Sequence, residues 1–517
     1  LPMPIGRSLR YTARMRLRRL FLVAYLASGA AGLLYEVAWA RLLTLYLGHG
    51  VAAVSTVLAA FMGGLAAGAA VGGRVAPGLT ASGALRVYAV LEGAVGVFAL
   101  ALPVTLGAVL PLLARAYNSA GPDSLAFGLA RVAACVLIVA LPAVLMGATF
   151  PLAVRWYSRN PEFAGREAGG LYATNTVGAC AGATLTGFVL LPLLGLRLTT
   201  IAGLVLNVTA AALAWWIAGF PIEDTGPVPT RPRARAHKTT PTQSTVVSAP
   251  ATARLMLAAS ALALSGFVAL TYEVAWTRLL ALIIGPTTYA FALLLGAFIG
   301  GLAIGAAAGA RWATIRNPLA AVGLTLLVTA LGGLLVAGVA GHLPLFVARL
   351  VAQPGWAFSA LVWVEALVLI ALLLPATLAL GAAFPFAVAA AAGPTRSVAR
   401  DAAILYSGNT LGAIAGALVS GFVLVPALGL RTSILTVALA AAGGGLLVVF
   451  AARASRALRL VALALAASTA VAVWSLPAWN LALLSSGAYK YAPYLSGADM
   501  ETALEAEKAR VREEIVG

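Results

Sequence analysis

Apolar runs separated by short polar stretches fill this chain, and the length of the runs carries more information than any period within them. Runs lie near 20 to 47, 51 to 73, 84 to 110, 124 to 153, 168 to 192 and 198 to 219, and then near 254 to 284, 287 to 310, 317 to 340, 358 to 391, 399 to 426 and 431 to 450. Each is long enough for a helix to cross roughly 30 Å of hydrocarbon, which takes about 20 residues. A further apolar stretch, Leu458 to Trp474, is long enough for one more crossing. Between the two sets, 220 to 253 carries six prolines and the cluster Arg231, Arg233, Arg235 and Lys238, a composition that predicts a flexible aqueous linker. The predicted fold is therefore all-α and polytopic. It divides into a basic N-terminal segment (1–19), a six-helix repeat (20–219), a cytoplasmic linker (220–253), a second six-helix repeat (254–450), an additional transmembrane helix (451–476) and a solvated tail (477–517).

Composition excludes the alternatives. Of 517 residues, 62% are hydrophobic and 10% charged, against roughly 25% charged in ordinary soluble domains. The formal net charge of +18 would elsewhere suggest nucleic acid as a partner, but the basic residues sit between the apolar runs and recur with them. They read as topology signals instead. With the N-terminus inside, 23 Lys and Arg fall in inner segments and seven on or near the outer side, so a cytoplasmic N-terminus in a plasma (inner) membrane is expected. Arg14, Arg16, Arg18 and Arg19 ahead of an apolar run mimic a cleaved leader. The same unit recurs near residue 254, which argues for a first membrane span. Cys135 and Cys180 lie in apolar runs, and His49, His237 and His342 are scattered, so neither a metal site nor a cofactor is expected.

An internal duplication organises the chain. Leu34-Tyr-Glu-Val-Ala-Trp-Ala-Arg-Leu-Leu43 matches Thr271-Tyr-Glu-Val-Ala-Trp-Thr-Arg-Leu-Leu280 at an offset of 237 residues, and Phe61-Met-Gly-Gly-Leu matches Phe298-Ile-Gly-Gly-Leu at the same offset. Further on the offset becomes 234, with Leu171-Tyr-Ala-Thr-Asn-Thr-Val-Gly against Leu405-Tyr-Ser-Gly-Asn-Thr-Leu-Gly. An even number of spans per half brings both halves in from the same side. They must then be parallel repeats about an axis along the membrane normal, which is the major facilitator plan.

These repeated motifs, together with Gly-Ala-x-Phe-Pro at 147 to 151 and 381 to 385, resemble a known family. The chain is similar, over about residues 20 to 495, to the membrane part of fused spermidine-synthase-like proteins, where a transporter-like region precedes an aminopropyltransferase-type domain. Ser486-Gly-Ala-Tyr-Lys-Tyr491 looks like the connector ahead of such a domain. The resemblance implies a polyamine connection. It does not bring the enzyme with it, since this sequence contains no glycine-rich nucleotide loop after a strand.

Four glutamates, Glu36, Glu92, Glu273 and Glu365, fall inside predicted spans. A carboxylate there costs about 2.5 to 3.5 kcal/mol on insertion scales, so it is expected to face a cavity or a partner. Glu36 and Glu273 are repeat mates, flanked by Tyr35 and Trp39 and by Tyr272 and Trp276, at spacings that place carboxylate and rings on neighbouring helix faces. Such a set suits a small organic cation held by charge and cation-π contact. The plainer reading pairs Glu36 with Arg278 and Glu273 with Arg41 to lock the halves together. Asn175 and Asn409 either hydrogen-bond between helices or line the same cavity. Glycines at 64, 68 and 72, at 301, 305 and 309, at 178 and 182 and at 412 and 416 predict close helix packing. Expected partners are the lipid bilayer, a small cationic substrate and other membrane proteins. The function classes are a polyamine or organic-cation transporter, a structural or anchoring subunit of a larger assembly, and the membrane anchor of an aminopropyltransferase. The tail beyond residue 477 is expected on the side opposite the N-terminus.

Overall fold

The computed structural model describes residues 5–47, 51–121, 124–158, 160–220, 251–285, 287–352, 358–393, 397–487 and 490. Six helices form the first half: α1 (Ile5–Leu47), α2 (Val51–Val75), α3 (Ala81–Ala120), α4 (Leu125–Tyr157), α5 (Ala164–Leu185) and α6 (Leu191–Ala218). The second half repeats them as α7 (Ala251–Ile284), α8 (Thr288–Arg311), α9 (Pro318–Ala340), α11 (Phe358–Ala391), α12 (Val398–Val419) and α13 (Val425–Ala451). A short helix absent from the sequence reading, α10 (Leu343–Ala352), sits between α9 and α11. After the repeats come α14 (Arg456–Ser475) and α15 (Leu481–Ser485). Eleven stretches of described residues are long and apolar enough to cross a membrane, and two of them, Pro161–Ala218 and Val398–Ala451, each contain two successive helices of this fold. The protein is an all-helical polytopic membrane protein. The expected linker falls almost wholly on 221–250, outside the described residues, as do His49, His237, the tail beyond Lys490 and the side chain of Cys135.

Local chemistry sets the ends of these helices. Thr80, Ser124, Thr287, Asn317, Ser397 and Ser455 each accept a hydrogen bond from a backbone N–H in the first turn of α3, α4, α8, α9, α12 and α14. The repeated Gly-Leu-Arg at 195 to 197 and 429 to 431 breaks α6 and α13, because Gly195 and Gly429 take φ of 69° and 73°, a left-handed conformation that glycine reaches without a Cβ penalty. Just ahead of them, matched π-helical turns at Thr186–Leu190 and Ser420–Leu424 join α5 to α6 and α12 to α13. Pro142, Pro151, Pro375 and Pro385 do not end their helices, since all four lie inside α4 and α11. Neighbouring helices make such prolines tolerable in a membrane.

Small residues fix the helix pairs. A Cβ on Gly178 or Gly182 would overlap the Leu26 or Ala30 carbonyl oxygen of α1, and one on Gly412 or Gly416 would overlap the Ala263 or Phe267 carbonyl oxygen of α7. Gly68 and Gly305 meet the carbonyls of Val144 and Leu378 in the same way. Thus α1 packs on α5 and α2 on α4, and the second half reproduces both pairs. The halves join through two crossed pairs, α2 with α12 and α5 with α8. In the first, the Ser407 hydroxyl donates to the Ala66 carbonyl at 3.1 Å. Gly165 and Gly169 of α5 also receive Ala389 and Pro385 of α11.

The thirteenth long helix lies on the rim. Only 11% of its membrane window is buried, and it packs on α9 and α13. Its 20 residues span about 30 Å. It starts beside the end of α13 and finishes beside the start of α13, where Arg431 donates to the carbonyls of Leu476 and Pro477. Trp479 Nε1 then donates to the Ala337 carbonyl near the end of α9 at 2.8 Å. The chain therefore reaches the face opposite the one on which α1 begins.

Candidate functional site

A cavity of about 590 Å³ opens between the halves. The repeat builds most of it. Glu36, Val37, Ala40 and Arg41 of α1 face Glu273, Val274, Thr277 and Arg278 of α7, and Val57 and Leu58 of α2 face Leu294 and Leu295 of α8. Each of these positions is matched by its mate at the offset of 237 residues. Trp39, Phe61, Val139 and Leu191 complete one wall and Phe291 the other. Gly285 and Thr287, in the turn between α7 and α8, form the outer end. The mouth therefore lies toward the face opposite the start of α1.

Rotation of α1 and α7 decides which of the predicted residues reach this space. Glu36, 9% exposed, and Glu273, half-buried, line it from the two halves. Trp39 lines it as well. Tyr35, Tyr272 and Trp276 lie behind the wall, fully buried. Tyr35 stacks on Trp39 with ring centroids 5.3 Å apart, and Tyr272 on Trp276 at 4.9 Å. The tyrosine rings wedge against Gly203 of α6 and Gly333 of α9, so they serve packing inside their own halves. Asn175 stands between helices: its amide Nδ2 is 3.4 Å from the Tyr25 carbonyl of α1, and Gly29 packs against it. Asn409 occupies the matching place, its backbone against Gly266 of α7. Arg41, exposed, and Arg278, half-buried, line the cavity one turn and a half farther out than the glutamates. Glu92 and Glu365 sit elsewhere, on α3 and α11.

Toward the other face, four aromatic rings meet between the halves. Phe150 of α4 meets Phe384 of α11 at 5.7 Å and Tyr406 of α12 at 5.1 Å, and Tyr172 of α5 meets Phe384 at 4.7 Å. These are two repeat pairs, Phe150 with Phe384 and Tyr172 with Tyr406. They escaped the sequence reading although they stand in the repeated Gly-Ala-x-Phe-Pro and Leu-Tyr-x-x-Asn-Thr motifs. The cavity thus lies on one side of this ring contact, and a second cleft of about 640 Å³ lies toward the other face, lined by α5 and α8.

No protein-family model matches the chain, and neither does any curated protein. Among solved structures it is similar to the human organic anion transporter MFSD10 (TETRAN), with a TM-score of 0.51 and 15% identity over 84% of this chain and 99% of that one. It is also similar to a mutant of the nucleoside transporter NupG, with a TM-score of 0.45, 15% identity and the same coverage. The first of these likenesses shows the fold, and the architecture is major-facilitator-like.

Proposed function

We propose that the chain is a membrane transporter that moves a small organic cation through the cavity between its halves. The observation that carries this reading is the pair Glu36 and Glu273, two acids at equivalent repeat positions facing one apolar space from opposite sides. A buried carboxylate in the membrane calls for a partner. A solute with one or two amines on an apolar body supplies it, with the Trp39 ring beside Glu36 for the cationic head. The sequence resemblance to the membrane part of spermidine-synthase-like proteins makes polyamines the first solutes to test. Fold likeness alone does not establish transport, so the argument rests on the site.

Movement follows from the same geometry. The ring contact of Phe150, Tyr172, Phe384 and Tyr406 is the gate on the face where α1 begins, and separation of the halves there opens the cavity to that side. The excess of Lys and Arg in the loops of that face supports its being the cytoplasmic one. The test is uptake by proteoliposomes of radiolabelled spermidine, putrescine and a quaternary ammonium ion. Flux that disappears in the double variant Glu36→Gln, Glu273→Gln, with the folded protein still in the membrane, supports the reading; unchanged flux in that variant refutes it.

A second reading has one observation in its favour. Arg41 and Arg278 line the same cavity as the two glutamates, so pairs across the midline would make this a structural module that anchors a partner. That reading expects Glu36→Gln to cost stability and no solute to bind.

A further inference from the structure

One buried acid apart from the cavity has no acidic counterpart in the other half. Glu92 of α3 is 2% exposed. The Ser28 hydroxyl of α1 donates to its Oε1 at 2.6 Å, and the Asn207 amide Nδ2 of α6 donates to its Oε2 at 2.7 Å. Three helices thus converge on one carboxyl group. The Tyr88 hydroxyl of the same helix lies beside the carboxyl group. Asn207, also 2% exposed, has an Oδ1 with no donor. The second half does without a carboxylate here: Ser28, Glu92 and Asn207 correspond to Ser265, Thr329 and Ala441, all buried. Close packing of this helix trio therefore does not require an acid.

Charge accounting then decides what the group holds. The ionisable groups that sense Glu92 are Tyr25 and Tyr35 from α1 and Tyr88 from its own helix, while α6 presents only the neutral amide of Asn207. Among the described residues no Lys, Arg or His acts on it. An unpaired carboxylate in such a place is expensive, and its neutral form is not. The neutral form also keeps the hydrogen bonds: the Ser28 and Asn207 donors hold their places on the two oxygens, and the carboxyl proton has the Tyr88 hydroxyl oxygen beside it as an acceptor.

We propose that Glu92, with Ser28 and Asn207, is a proton-binding site in the first half of the protein, separate from the cavity. Its link to the cavity is α1, which carries Ser28 near the middle of its span and Glu36, Trp39 and Arg41 from about two turns farther along the same helix. The site does not depend on the transport reading. Infrared spectroscopy of the purified full chain in nanodiscs tests it directly, through the carbonyl stretch of a protonated carboxyl group. The wild type is expected to show one such band that is missing in Glu92→Gln, and in Asn207→Leu that band is expected to move to higher frequency, as it does on losing a hydrogen bond. Replacing potassium by sodium at fixed pH is expected to leave it unchanged. Should Glu92→Gln fail to fold, Glu92→Asp and uniform ¹³C-labelling of glutamate shift the same band and keep the assignment open to test. The proposal is overturned if no band depends on Glu92 at any pH at which the protein is folded, or if sodium abolishes it, which would make the oxygens a metal-ion site.

Discussion

Truncation of Phe384 isolates the ring contact that joins the halves. Its side chain is 3% exposed and touches Tyr172 at 4.7 Å, Phe150 at 5.7 Å and Tyr406 at 6.3 Å. Tyr406 belongs to the same half, whereas Tyr172 and Phe150 belong to the other, so two of these pairs are lost when the halves separate. At about 0.5 to 1.5 kcal/mol per aromatic pair, Phe384→Ala removes roughly 1 to 3 kcal/mol from the closed arrangement. An equilibrium between closed and open forms then shifts by about 5- to 150-fold. Spin labels at Glu162→Cys and Thr314→Cys, exposed positions of opposite halves on the α1-start face, report the separation by pulsed electron resonance. Cys135→Ser and Cys180→Ser provide the background. The expected result is a longer-distance population in Phe384→Ala that is absent in the parent and in Phe384→Leu. Overall stability should also fall, by about 3 to 5 kcal/mol if the site does not collapse. An unchanged distance distribution in a variant that has lost this stability would sink the argument, because the rings would then pack without gating.

Other outcomes follow from the same structure. Gly178→Val places a branched side chain on the Leu26 carbonyl and should reduce folded yield sharply in a thermal aggregation assay, whereas Gly107→Ala, with open space around it, should change little. If both behave alike, the α1–α5 contact is not as close as described. Single replacement of Glu36 or Glu273 by Gln should weaken spermidine binding in a calorimetric titration by about 10-fold or more, the scale of one charge-assisted hydrogen bond of about 1.5 to 3 kcal/mol; equal affinities would remove the carboxylates from the site. Cysteine at Leu481, 73% exposed, should react with an impermeant thiol reagent from the membrane side opposite to cysteine at Glu162, and labelling of both from one side would deny α14 its crossing.

Much of the architecture was legible because it depends on local quantities. Run length sets where a helix can span, and the spans expected at 358 to 391 and 317 to 340 coincide with α11 and α9 to within a residue. Two decapeptides that agree at eight of ten positions and an even count per half set the parallel duplication before any packing was known. The Gly-Leu-Arg breaks are local in the same sense, since a missing Cβ acts within one turn. What helix rotation does was not legible. Tyr35 and Trp39 lie one turn apart, yet Trp39 lines the cavity while Tyr35 is wedged against Gly203. Lipid tails are as apolar as leucine, so a helix face turned to lipid and one turned to a neighbour read alike in sequence. The Glu92 cluster shows the same limit from the polar side: its partners stand 64 and 115 residues away, and nothing local marks Ser28 or Asn207 as belonging to it. Spans and repeat follow from the chain alone; which side chains meet is decided only when close contact of small residues fixes each helix in depth and angle against its neighbours.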